Sequence, residues 1–154
     1  MEILIAVVIM GLSLAAMLAL YFMAQFWWQE GATRVHLQGD AYRALEKITR
    51  GVDGTGGLRE ARWVEVPDAQ TVKYIDVDDI EKSIYVNGSD LMYDPNTTVA
   101  DDEQVLVRNL QVAPIGFQAA QLTRDQIRVT LTLAQQKGQN TFNVEATSGV
   151  SIRN

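Results

Sequence analysis

Glu2-Ile-Leu-Ile-Ala-Val-Val-Ile-Met-Gly-Leu-Ser-Leu-Ala-Ala-Met-Leu-Ala-Leu-Tyr-Phe-Met-Ala24 decides how this chain is read. From 3 to 24 every residue is apolar or small, and the one charge stands at the head of the run. As a helix those 22 residues extend about 33 Å at about 1.5 Å each, close to the roughly 30 Å hydrocarbon core of a bilayer. A secretory signal has a shorter apolar core, a basic flank before it and a small-residue cleavage site after it, and this run has none of these. A buried helix of a soluble core is also a poor fit, because the rest of the chain is too small to cover 22 apolar residues on all sides. The run is therefore expected to enter a membrane. Glu2 at its edge then needs a partner, since a carboxylate taken out of water is costly unless paired.

Composition divides the 154 residues unevenly. About 130 residues follow the run, enough for one modest domain, and they hold all three prolines and every charge except Glu2. The net charge of -6 comes with no basic cluster, so nucleic acid is not an expected partner. Without cysteine the chain has neither a disulfide framework nor a thiolate metal site.

The helical period continues over 25–52 in amphipathic form. Trp28, Ala32, Val35, Ala41, Leu45, Ile48 and Val52 mark one face, while Glu30, Arg34, Asp40, Arg43, Glu46, Lys47 and Arg50 fill the others. Gly31 and Gly39 are weak points in it, and Gly51, Gly54, Gly56 and Gly57 end it. Phe26, Trp27 and Trp28 read equally as an interfacial aromatic belt and as packing against the domain.

Beyond the glycines the period shortens to two. Strands are expected at 62–66, 71–77, 83–86, 91–93, 104–112, 126–134 and 141–152, with hairpins at Asn87-Gly88 and at Lys137-Gly138-Gln139-Asn140. Ile127, Val129, Leu131 and Leu133 alternate with polar residues, as do Phe142, Val144 and Ala146. That pattern implies an antiparallel sheet with one dry face, covered by the amphipathic helix. The expected fold is α+β, a long N-terminal helix packed on an antiparallel β domain. Its parts are an apolar membrane or filament-core helix at 1–24, an amphipathic continuation at 25–52 and the β domain at 53–154.

Residues suited to catalysis are few. His36 is a lone histidine, and Ser13 lies in the apolar run without a base, so no enzyme is expected. Asp76 and Asp78 are read as alternating on one strand face, within a solvated acidic edge. Asp94, Asn96, Asp101 and Asp102 offer oxygen ligands that suit Ca²⁺, though without regular loop spacing. The solvated edge is the expectation, Ca²⁺ the alternative, and no other cofactor is implied. The loops at 51–57 and 85–99 are candidate contact surfaces.

Glu2-Ile-Leu-Ile-Ala-Val-Val-Ile-Met-Gly11 resembles the start of type IV pilins and type II secretion pseudopilins, in which a glutamate opens an apolar run and a glycine follows nine residues later. Arg128-Val-Thr-Leu-Thr-Leu133, Val150-Ser-Ile-Arg-Asn154 and Asp40-Ala-Tyr-Arg-Ala-Leu-Glu-Lys-Ile-Thr-Arg50 are similar to segments of J-type minor pseudopilins and related minor pilins. The resemblance implies a subunit stored in the inner membrane, trimmed and methylated by a prepilin peptidase, and polymerised by assembly machinery with copies of itself and other pilin-like subunits. The finished filament is then periplasmic or extracellular, with the globular domain outside the cytoplasm. Glu2 and Gly11, with Ile3, Leu4, Ile5, Val7 and Val8, are the implied assembly residues, Glu2 pairing with a neighbour's N-terminal amine to set register. Met1 is the implied processed N-terminus, although family chains place several residues before the glutamate. No proline precedes Pro67, whereas many major pilins carry one in the apolar helix, so the stem is expected to be continuous. The alternatives are a single-span membrane-anchored binding domain that never polymerises and a pilin-like adhesin outside the main filament.

Overall fold

The computed structural model describes residues 2–52, 54–112, 114, 116–137 and 140–152. The expected processed N-terminus, Met1, and the central pair of the last hairpin, Gly138 and Gln139, lie outside the described residues. The chain divides into two compact units, Met1–Val35 and His36–Asn154.

One helix, α1, runs Glu2–Arg50, and neither Gly31 nor Gly39 interrupts it. Its end has a clear cause. Gly51 adopts a left-handed φ of +93° and donates its N–H to the Lys47 carbonyl at 2.8 Å, closing the last turn. Lys47 and Arg50 add favourable charge at the carbonyl end of the helix.

Within the second unit, a 3-10 turn at Leu58–Glu60 precedes eight antiparallel strands among the described residues. These are β1 (Trp63–Asp68), β2 (Thr71–Ile75), β3 (Glu81–Asn87), β4 (Asp90–Asp94), β5 (Gln104–Val107), β6 (Phe117–Thr123), β7 (Gln126–Lys137) and β8 (Asn140–Ser151). They form two sheets instead of the single sheet expected, β1-β2-β3-β4-β5 and β6-β7-β8. The two are stitched together by backbone. Ala119 donates to the Ala69 carbonyl at 2.8 Å, while Gln111 N–H reaches Thr132 O at 3.0 Å and Ala134 N–H reaches Asn109 O at 2.8 Å. The segment 109–111 thus takes over beside β7 where β6 stops, which is why the long strand expected at 104–112 is broken after Val107.

Both expected hairpins are present. Asn87 pairs with Asp90 across Gly88, and Lys137 pairs with Asn140. The alternation read in β7 and β8 is realised: Ile127, Val129, Leu131, Leu133, Phe142, Ala146 and Val150 are all buried. They share one core with Leu37, Ala41, Ala44, Leu45 and Ile48 of α1 and with Val72, Tyr74, Ile84, Leu91 and Phe117 of the sheets. The helical face is correct from Ala41 onward, but Leu37 and Ala44 replace Ala32 and Val35, which are exposed. Leu37, Ala41, Ala44, Leu45 and Ile48 follow the i, i+4, i+7, i+8, i+11 stripe that faces a sheet, and Ala32 and Val35 fall off it.

Candidate functional site

The apolar run forms the first part of α1 with nothing of its own chain covering it. From Ile3 to Met23, fifteen large apolar or aromatic side chains are about half exposed or more, Ile3 reaching 83%. Leu4, Ile5, Val7 and Val8 are exposed with the rest. Burying such side chains is worth about 1.5–3 kcal/mol each, so covering this surface releases on the order of 20 kcal/mol or more. Water is the wrong solvent for it, and the helix is long and apolar enough to cross a membrane.

Two residues of this surface have distinct local chemistry. Glu2 sits exposed in the first turn, where its charge complements the unpaired N–H groups of the helix start. A side chain added at Gly11 would meet nothing within 4 Å, so the groove left by glycine serves no packing inside this chain. Ser13 returns its hydroxyl to the Ile9 carbonyl at 2.9 Å, which satisfies its polar group within the helix. Phe26, Trp27 and Trp28 are exposed as well.

The remaining candidates separate in the second unit. The glycine loop, expected as a contact surface, is packed: Gly51, Gly56 and Gly57 are buried. Tyr74 donates its hydroxyl to Gly56 O at 3.2 Å, and Gly56 N–H donates to Glu60 Oε2 at 3.0 Å. Beneath it lies an ion pair, Lys82 Nζ to Asp76 Oδ2 at 2.7 Å, with both side chains largely buried. Asp76 is therefore not on a solvated edge, nor on a strand, since β2 ends at Ile75. Its Oδ1 accepts from the N–H groups of Asp78 and Ile80 and shapes a turn. Burial alone would raise the Asp76 pKa, but the Lys82 ammonium and the two backbone donors hold its carboxyl below the usual range. For Lys82, burial works the other way, and the bond to Asp76 outweighs it and raises the ammonium's pKa. Burial also pushes the Tyr74 hydroxyl well above the ordinary phenol range.

A second charged region is uncompensated. Burial, with Asp102 and Glu103 nearby, raises the Asp94 carboxyl, while the Asn96 N–H works against the shift. Burial and a hydrogen bond to Glu103 push the Tyr85 phenol up to about 12. Among the described residues no ion pair involves Asp94, Asp101, Asp102 or Glu103. Asp94 Oδ1 accepts from Asn96 N–H at 2.9 Å, and Asn96 Oδ1 accepts from Thr98 N–H and Oγ1, so these oxygens serve their own loop. No group of three or more His, Asp or Glu among the described residues is placed to hold a metal ion.

A cationic groove has no counterpart among the sequence expectations. It runs between the α1 face bearing Asp40, Arg43 and Lys47 and the end of β5, where Arg108 stands, with a volume of about 380 Å³. The signal was present in part, since Arg43 and Lys47 are four residues apart on one helix face. Arg108 could only be added once the fold brought β5 alongside.

No family model, curated protein or solved structure matches this chain. The class that the fold defines is an α+β protein with two antiparallel sheets and one membrane-length apolar helix.

Proposed function

We propose that this chain is a structural subunit of a type IV pilin-like filament, a pilus or a type II secretion pseudopilus, with a minor, J-type subunit the nearer reading. One observation carries it: a helix whose apolar residues from Ile3 to Met23 are all uncovered, headed by the carboxylate of Glu2. Lipid alone would satisfy the apolar side chains, but it offers no counter-charge to Glu2. A neighbouring copy offers both. Its own apolar helix covers the surface, and its N-terminal amine pairs with the carboxylate, fixing the stagger between subunits. Such a pair acts chiefly through register, because a buried ion pair need not add net stability. Gly11 gives the neighbouring helix a place to approach closely.

The subunit waits in the inner membrane, where a prepilin peptidase trims and methylates it. The assembly machinery then extracts it into a filament with copies of itself and related subunits, its domain outside the cytoplasm. Neither catalysis nor a cofactor has a part in this.

The test is Glu2→Val in cells that make the filament. Once the core has formed, removing one partner of a buried pair costs about 3–5 kcal/mol per contact. The variant is expected to insert in the membrane at wild-type levels and to be lost from sheared filaments. Unimpaired assembly would refute the role of Glu2. A domain that stays fully functional without any polymer would favour a single-span anchor or an adhesin instead.

A further inference from the structure

Copies of a chain with net charge -6 repel one another at long range, so an interface between them benefits wherever opposite charges meet. The second unit offers two such surfaces that do not serve each other. In the groove beside β5, Lys47 and Arg108 make no ion pair among the described residues, and Arg43 meets Asp40 only at 3.9 Å with its side chain 80% exposed. At the opposite end of β5 the loop presents Asp101 and Glu103, both exposed and both without a cation among the described residues. Glu103 and Arg108 flank the four residues of β5, about 17 Å apart along an extended strand. That exceeds the Debye length of about 8 Å at physiological ionic strength, so within one copy these charges barely compensate each other.

We propose that the cationic groove of one copy, through Arg43, Lys47 and Arg108, receives the acidic loop of the next copy, through Asp101 and Glu103. The two surfaces are different patches of one compact unit, so the contact is head-to-tail. A head-to-tail contact that does not close into a ring propagates as a helical polymer. The exposed Val105 gives the groove an apolar floor, and β5, at the edge of its sheet, leaves that side clear of other strands. The inference rests on the filament reading above and adds to it the surface by which the domains meet.

Charge reversal tests it in cells that make the full-length chain. Lys47→Glu with Arg108→Glu is expected to cut sheared filament yield at least tenfold, and adding Asp101→Lys with Glu103→Lys to the same chain is expected to restore it. Thermal unfolding in detergent should stay cooperative for both variants, with Tm only modestly lowered, because all four side chains are exposed and the losses are confined to the helix-end charge of Lys47, the left-handed backbone at Asp101 and the Glu103 bond to Tyr85. Normal filaments from the Lys47→Glu, Arg108→Glu variant would overturn the contact and leave the filament reading standing. Absence of filaments from the wild type would overturn both. A second measurement needs no charge change on most of the surface. The chain contains no cysteine, so Lys47→Cys with Glu103→Cys treated with a short bis-maleimide should give a ladder of oligomers, and each single variant should give none. Dimers from a single variant, or no ladder from the double, would contradict a head-to-tail contact.

Discussion

Replacing Lys82 by Met tests whether the second unit is organised as described. The ammonium lies 2.7 Å from Asp76 Oδ2, with the two side chains only 13% and 3% exposed. Met keeps most of the side-chain volume and removes the charge. Asp76 is then left buried with two backbone donors and no counter-ion, and breaking a buried pair in this way costs about 3–5 kcal/mol. Against a total stability of about 5–15 kcal/mol this is a large fraction, equivalent to a fall of about 12–20 °C in Tm. The pH dependence gives the sharper signature. In the wild type the folded Asp76 pKa is depressed, so its contribution is complete above the unfolded value of about 3.9 and is lost as pH falls through the folded one. The raised pKa of Lys82 sets the other limit, with stability present below about 10.4 and lost as pH rises through the folded value. In the variant, burial acts on Asp76 without the ammonium and lifts its carboxyl. The penalty should therefore be largest near pH 7 and shrink towards pH 4 as the carboxyl protonates. Urea unfolding of the full chain in detergent, followed by Trp63 fluorescence with Trp27 and Trp28 changed to Phe, measures this directly. A cost below about 1 kcal/mol at pH 7, or the same cost at pH 4, would refute the reasoning. Adding Asp76→Asn should recover part of the loss.

Three further outcomes follow from the fold. Gly51→Ala places a side chain at a φ of +93° against the Thr55 carbonyl, and is expected to destabilise the second unit by more than about 1 kcal/mol in the same unfolding assay. Leu131→Ala empties a fully buried site at the centre of β7 and should cost about 2–5 kcal/mol, read as a lower urea midpoint at unchanged slope. The Tyr85 phenol should ionise near pH 12, later than an ordinary tyrosine. Because its folded pKa is raised, stability begins to fall as pH climbs past the unfolded value of about 10. Ultraviolet difference titration should lose this late step in Tyr85→Phe.

The parts that were legible in the sequence are those where one physical demand dominates. The apolar run is readable because no residue in it admits another solvent, and β7 and β8 because one dry face imposes strict alternation on Ile127, Val129, Leu131 and Leu133. β6 escaped notice because Gln118, Ala119, Ala120 and Gln121 have little strand preference, and only Phe117 and Ala119 are buried in it. That strand is specified by its neighbours, through the ladder to β7 and the Ala119 bond to Ala69. The burial of Asp76 is not legible in the sequence because it depends on Lys82, one hairpin strand away. The spacing Asp76-Val-Asp-Asp-Ile80 did hold a clue, as an aspartate often caps the turn two residues on. The cationic groove needed Arg108 to arrive from β5, and no local pattern announces a contact of that range.

In the proposed filament, α1 assembles with other copies through Glu2. A reconstruction of the isolated filament by cryo-electron microscopy would locate that carboxylate. Apolar helices are expected at the filament core, with each Glu2 carboxylate within hydrogen-bond distance of an amine on a neighbouring copy. Filaments with Glu2 facing solvent or lipid, or a chain recovered only as a membrane-bound monomer, would contradict it.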